Sequence, residues 1–382
     1  MRRLARTVSI SICLLFPTVV SASIQSLVFS AFDYVQSARA NAMGGCVITN
    51  VDEEAALYNP GAMGVFHLNR AMSLTIPIRT TLMPEFSDDT RVSALSASGR
   101  IPARWLGQRK TAPSKFSLSA GFSQLKLQWS YYSRWYGITM SGYYERASNF
   151  TIAAGYQNGA RIGLGLTYKH LKAVIPAVGA GSQVGGTFSS TGWAYDLGLY
   201  ADIDLADLHG QRQAAGGSRF SLVPAIAFVR ANAGGDHFAY LDVVQEDPLP
   251  EMNRYSFSIK IVEARGSAEI KSLRLVYERE DWMVPYHKDK VGAELGLLGA
   301  LFIRAGYLGD GTKYLDLFTY GGGFSFAGLS RWLREGGNRS SNQPASNGFW
   351  ERLDLKIDYS RYGSDDTQFQ QKTTFFKLCL SM

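Results

Sequence analysis

Along most of the chain, apolar and polar residues alternate one for one, the period of a β-strand whose two faces meet different surroundings. Phe116, Leu118, Ala120 and Phe122 alternate with Ser or Gly, and Ile162, Leu164, Leu166 and Tyr168 with Gly163, Gly165 and Thr167. Leu273, Leu275 and Tyr277 alternate with Arg274, Val276 and Glu278; Leu353, Leu355, Ile357 and Tyr359 with Asp354, Lys356 and Asp358. Roughly fourteen to sixteen such segments are legible, beginning at Leu68–Arg79 and ending at Thr374–Met382. Among them, Phe116–Gln124 and Lys126–Tyr132 read as two strands, as do Tyr136–Tyr144 and Phe150–Asn158. Pro224 interrupts a good strand at Arg219–Arg230 and predicts a bulge or kink, because proline cannot donate to the ladder.

One stretch breaks this rhythm. Ser37 to Met43 is small-residue and helix-compatible, and Gly44-Gly45 stops it. Asp52 to Tyr58 predicts a second short helix with Asp52 as N-cap, ended by Asn59-Pro60-Gly61. Helices this short need a larger body to pack against. The expectation is a plug with the strands closed around it.

Before the plug lies an export leader. Arg2, Arg3 and Arg6 precede an interrupted apolar run, and Val20-Ser21-Ala22 forms a small-residue cleavage site. The expected organisation is a cleaved leader over 1–22, a hatch over 23–66 and a barrel over 67–382. Mean hydropathy is −0.08, too polar for a helical membrane protein, yet 20 Tyr, 21 Phe and 7 Trp are many for a soluble domain. The 39 glycines suit tight turns and close-packed barrel walls. Without the three leader arginines the formal charge falls from +7 to +4, dispersed along the chain, which gives nucleic-acid binding no footing. After the leader only Cys46 and Cys379 remain, enough for one disulfide but for no framework or metal cluster.

In a soluble sandwich the charged strand face would meet water. In a membrane barrel the apolar face meets lipid and the charged face lines the lumen. The leader, the strand number and the aromatic content favour the barrel. Leu164 then faces lipid, and lumen-facing Gly163 and Gly165 should accept Ser. Arg274, Glu278, Arg304, Asp354, Lys356 and Asp358 fall on the lumen face, as a mutually paired lining more often than as selectivity groups. Phe376, Leu378, Leu380 and Met382 alternate to the end of the chain, and pairing that last strand with the first removes both edges. The connections 172–190 and 333–347 read as a mobile and a disordered loop.

The hatch resembles that of FadL-like outer-membrane barrels and their PorV/PorQ-type relatives. The resemblance rests on Ala38-Arg39-Ala40, Met43-Gly44-Gly45, Asp52 and Leu57-Tyr58-Asn59-Pro60, departing at Gly61, where the family has Ala, and at Cys46. Asp247-Pro248-Leu249-Pro250 and the run from Lys290 to Tyr307 are similar to segments of the PorV-type branch. The resemblance implies an all-β, closed antiparallel barrel of fourteen strands with a helical plug. It also implies a setting among outer-membrane lipids, and a last strand read by the barrel assembly machinery.

Catalysis has little support. The five histidines are scattered without metal-ligand spacing, and no nucleophile elbow is present, so neither an enzyme nor a metal or other cofactor is expected. Two binding roles remain. One is a channel for hydrophobic small molecules such as long-chain fatty acids, gated by the plug motif of Met43, Gly44, Gly45, Asp52, Asn59, Pro60 and Gly61. Phe29, Phe32, Leu57, Tyr58 and Phe66 would line its pocket, with Arg39 holding a carboxylate; ordinary plug-to-wall packing is the plainer account of each. The other is an accessory barrel that holds or shuttles a secreted protein cargo.

Overall fold

The computed structural model describes residues 35, 37–77, 80–81, 91–102, 115–133, 138–176, 187–208, 218–235, 237–239, 246–249, 251–265, 268–282, 287–310, 316–336, 353–362 and 374–382. The leader and its cleavage site lie outside them, as do Phe29 and Phe32.

Fourteen long strands form the wall: β1 Met72–Pro77, β2 Arg91–Arg100, β3 Phe116–Ser133, β4 Ile138–Asn158, β5 Ala160–Pro176, β6 Thr187–Ile203, β7 Ser218–Ala233, β8 Met252–Arg265, β9 Ala268–Trp282, β10 His287–Leu297, β11 Leu301–Asp310, β12 Asp316–Ser325, β13 Asp354–Tyr362 and β14 Thr374–Ser381. Each pairs antiparallel with its sequence neighbour. β1 pairs both with β2, from Met72↔Gly99 to Thr75↔Ser96, and with β14, from Ser73↔Ser381 to Pro77↔Lys377. The sheet therefore closes without a free edge, as the alternation in the last strand predicts. Five short helices accompany it: α1 Ala38–Asn41, α2 Ala55–Tyr58, α3 Pro60–Phe66, α4 Leu205–Leu208 and α5 Phe326–Gly336.

Two expected strand pairs are single strands. β3 runs 18 residues and β4 runs 21, with alternation continuing through Lys126 and Arg146. These cations lie on the outer face, where the strands continue beyond the apolar band; they mark its limit rather than a turn. The register of β7 against β8 passes unbroken through Pro224↔Ile259, so the expected bulge is absent there. On its other side the β6 ladder ends at Asp202↔Ala225, one residue short of the proline, which needs no donor at that place. The first strand also starts at Met72 rather than Leu68, because α3 occupies the chain to Phe66. Residues 333–336 belong to α5, and residues 172–176 and 187–190 to β5 and β6; what lies between in those two connections is outside the described residues.

The outer face carries the apolar half of the alternation. Ile152 and Leu164 are each 58% exposed, Ile303 is 60% and Phe220 is 64%. Tyr168, Trp193 and Tyr195 make an aromatic cluster with ring centroids 5.2 and 5.6 Å apart, and exposed His170 follows two residues beyond Tyr168. An apolar belt edged by aromatics and then by polar groups is the surface of a wall in lipid. No helix among the described residues is long and apolar enough to cross a membrane; the crossing elements are the strands.

Candidate functional site

Inside the wall sits the hatch, and its local structure follows from its caps. Ser37 accepts the Ala40 N–H at 3.1 Å and opens α1. Gly44 and Gly45 then adopt φ of +69° and +82° and turn the chain. Asp52 accepts the Glu54 N–H at 3.0 Å, but regular helix begins only at Ala55, so Asp52 closes a turn ahead of α2 instead of capping it. Asn59-Pro60-Gly61 ends α2 as expected and also starts α3, which sequence reasoning missed. Asn59 accepts the Gly61 N–H at 2.9 Å, with Pro60 in the first turn.

Two glycine contacts seat the hatch. At the first, Met43-Gly44 lies backbone to backbone on β10 and β11. A Cβ on Gly44 would stand 2.4 Å from the Tyr307 carbonyl oxygen, and one on Gly306 would stand 2.0 Å from the Gly44 nitrogen. The Gly44 N–H donates to Thr319 Oγ1 at 2.9 Å. At the second, α3 rests on glycines of β4, β5 and β6. Gly163 faces the Gly61 carbonyl, Gly165 faces Pro60, Gly155 faces the Gly64 carbonyl and Gly198 faces Asn59 and Pro60. A Cβ on Gly61 would itself meet the carbonyl oxygens of Gly163 and Gly198 at 2.8 Å, which accounts for glycine at this position. The expectation that Gly163 and Gly165 accept Ser is thereby overturned: they face the lumen, but the plug fills the space a side chain needs.

The charged strand faces converge on the same hatch. Arg39 donates to Glu294 through Nε at 3.0 Å and Nη2 at 2.7 Å, and to Asp52 through Nη1 at 3.1 Å. Arg304 joins Glu294 at 2.6 Å and also bonds Asp358. Glu278 accepts the Val47 and Ile48 N–H groups at 2.7 and 3.0 Å. Arg274 donates to the Thr49 carbonyl and to Asn50 Oδ1 at 2.6 and 3.0 Å. Lys356 pairs with Glu53, and Lys377 with Glu54, at 2.7 and 2.6 Å. The predicted lumen charges are therefore buried plug contacts as much as mutual pairs. Burial alone would raise the Glu53 carboxyl; Lys356 and Ser381 outweigh it and hold the group down at about 2.

The rest of the bore divides by polarity. Above the second glycine contact, Val92, Leu125, Leu127, Leu171, Ala173 and Phe375 form an apolar cluster that takes in Ala38 and Leu57 of the hatch. On the other side of the hatch, toward the end where Leu298-Gly299 makes a tight turn, lies a cavity of about 370 Å³. Arg39, Asp52, Glu294, Arg304 and Lys356 line it with Arg161 and Asp202. The structure thus places the candidate ligand residues apart. Leu57 reaches the apolar cluster, and Tyr58 packs on a second cluster around Met63, Tyr200 and Met252. Phe66 is buried edge-on against His67, and Arg39 is held by carboxylates at the polar cavity. Cys46 and Cys379 are both buried and free.

No protein-family model and no curated protein matches the chain. Among solved structures it is similar to the Pseudomonas putida toluene transporter TodX, at 12% identity and a TM-score of 0.42, over 90% of this chain and 96% of that one. It is similar to a Pseudomonas aeruginosa FadL homologue at 12% identity and a TM-score of 0.41, over 91% and 97% of the two chains. The CymD monoaromatic hydrocarbon channel stands at 14% and 0.37, over 90% and 94%. Those likenesses are distant, and the closed fourteen-stranded barrel stands on its own ladders.

Proposed function

We propose that this barrel lies in an outer membrane and passes hydrophobic small molecules, long-chain amphiphiles among them, with the hatch as its gate. The observation that carries the reading is the polarity of the bore. A water-filled porin is polar along its length, whereas here Val92, Leu125, Leu127, Leu171 and Phe375 gather on the lumen face beside the hatch. An apolar surface inside a barrel gains from an apolar guest, by roughly 0.8 kcal/mol for each buried CH₂. The polar cavity beyond the hatch then receives what the gate releases. Arg39 serves as a latch in this account, because its guanidinium is already engaged by Glu294 and Asp52.

Native mass spectrometry of gently solubilised protein tests the reading. The wild type should carry an apolar amphiphile, and Leu125→Asp or Leu171→Asp should lose it while keeping the barrel folded. A bore that is empty in both would favour the accessory-barrel role instead. One observation is in keeping with that second role: Leu249, in the segment similar to the PorV-type branch, is buried in the same apolar cluster.

A further inference from the structure

The helix α5 has no part in the gate, and its two faces differ. Phe326, Leu329 and Leu333 recur at i, i+3 and i+7, one stripe of an α-helix. Phe326 is 46% exposed and Leu333 is 58% exposed. The opposite face is fixed to the barrel. Gly328 seats on the Gly299 carbonyl with no room for a methyl group, and Arg331 lines the polar cavity. Asp354 accepts from Ser325 Oγ at 2.8 Å and from the Ala327 N–H at 3.3 Å, pinning the first turn. The helix therefore cannot roll its apolar stripe inward.

That stripe continues the lipid belt. Phe326 packs edge-on against Phe324, ring centroids 4.7 Å apart. Phe324 in turn registers with Leu301 and Ile357, outward residues of β11 and β13 that are 48% and 43% exposed. We propose that α5 is an interfacial helix, its Phe326–Leu333 stripe seated in the lipid leaflet at the tight-turn end of the barrel. An amphipathic helix lies in this way, apolar face in the acyl boundary and polar face toward water. Here the polar face covers part of the cavity mouth, so the leaflet holds the helix in place. The inference rests on the membrane reading of the wall.

Spin labels read the depth of each position by collision with apolar oxygen against a water-soluble nickel chelate. Leu333→Cys, Phe326→Cys, Leu164→Cys and Asp207→Cys are labelled singly and reconstituted in phosphatidylethanolamine–phosphatidylglycerol vesicles. The wild type, whose Cys46 and Cys379 are buried, is the labelling blank. Leu164 reports the wall and Asp207, on α4 at the same end, reports water. The oxygen-to-chelate ratio at residues 326 and 333 should approach that at residue 164 and exceed that at residue 207 severalfold. A chelate-accessible label at 326 and 333, with residue 164 in lipid, overturns the inference alone. Shielding from both probes overturns it in favour of a protein partner. Chelate access at residue 164 as well overturns the membrane reading beneath it.

Discussion

Two glycines and two side chains show how single residues decide the gate. Gly163 and Leu164 are neighbours on β5 with opposite surroundings, the one under the Gly61 carbonyl and the other outward and 58% exposed. Leu164→Arg should cost about 2–4 kcal/mol near the midplane of the wall. Gly163→Ser should cost about 1–3 kcal/mol through overpacking, and should do so by loosening the plug rather than the wall. Heat-modifiable mobility on a gel separates the two, since only the wall mutation lowers the transition of the barrel itself. Arg39→Ala leaves Asp52 without its cation and Glu294 with Arg304 alone. Breaking a buried pair of this kind costs about 3–5 kcal/mol. Urea-induced exposure of the hatch to protease should come correspondingly earlier. Glu53 adds a pH dependence. Its folded carboxyl is held at about 2, below the ordinary 4.5, so its contribution is whole above about 4.5 and drains away as pH falls toward 2. The same protease assay should show hatch release on acidification, with a shallower slope in Glu53→Gln.

At the scale of elements, α3 and the paired strands β10 and β11 carry the docking, and they were legible to different degrees. The MGG turn and the run from Lys290 to Tyr307 both stood out in the sequence, and the structure brings them into contact through Gly44 and Gly306. What the sequence could not show was that they touch, because the pairing spans more than two hundred residues. The same holds for Arg39 and Glu294, 255 positions apart. The helix α3 was hidden for a local reason. Pro-Gly-Ala-Met-Gly reads as a turn into a strand, and only the Asn59 cap with the glycine floor beneath makes it helical. Lys126 and Arg146 misled in the other direction, resembling turn residues in strands that continue past the belt. Asn59→Ala should cost about 0.5–2 kcal/mol for the lost cap. It also removes donations to the Ile48 and Leu199 carbonyls at 2.7 and 3.3 Å, so protease access to α3 should rise without a change in the barrel transition.

For the molecule as a whole, closure and closure's contents are separable. Removing 376–382 takes away most of β14, leaving β1 and β13 with unpaired edges in lipid. Folded protein should then vanish from the outer membrane, and normal surface-protected levels of the truncated chain would contradict closure. The gate depends instead on what fills the bore. Deleting 52–61 removes α2 and the start of α3 with their glycine contact, while the wall ladders stay complete. The most direct measurement is liposome swelling with this deletion beside the full chain, both first shown to be folded by heat-modifiable mobility. Small-solute influx should be near background for the full chain and clearly raised for the deletion; equal influx through the two would contradict a plug that closes the bore.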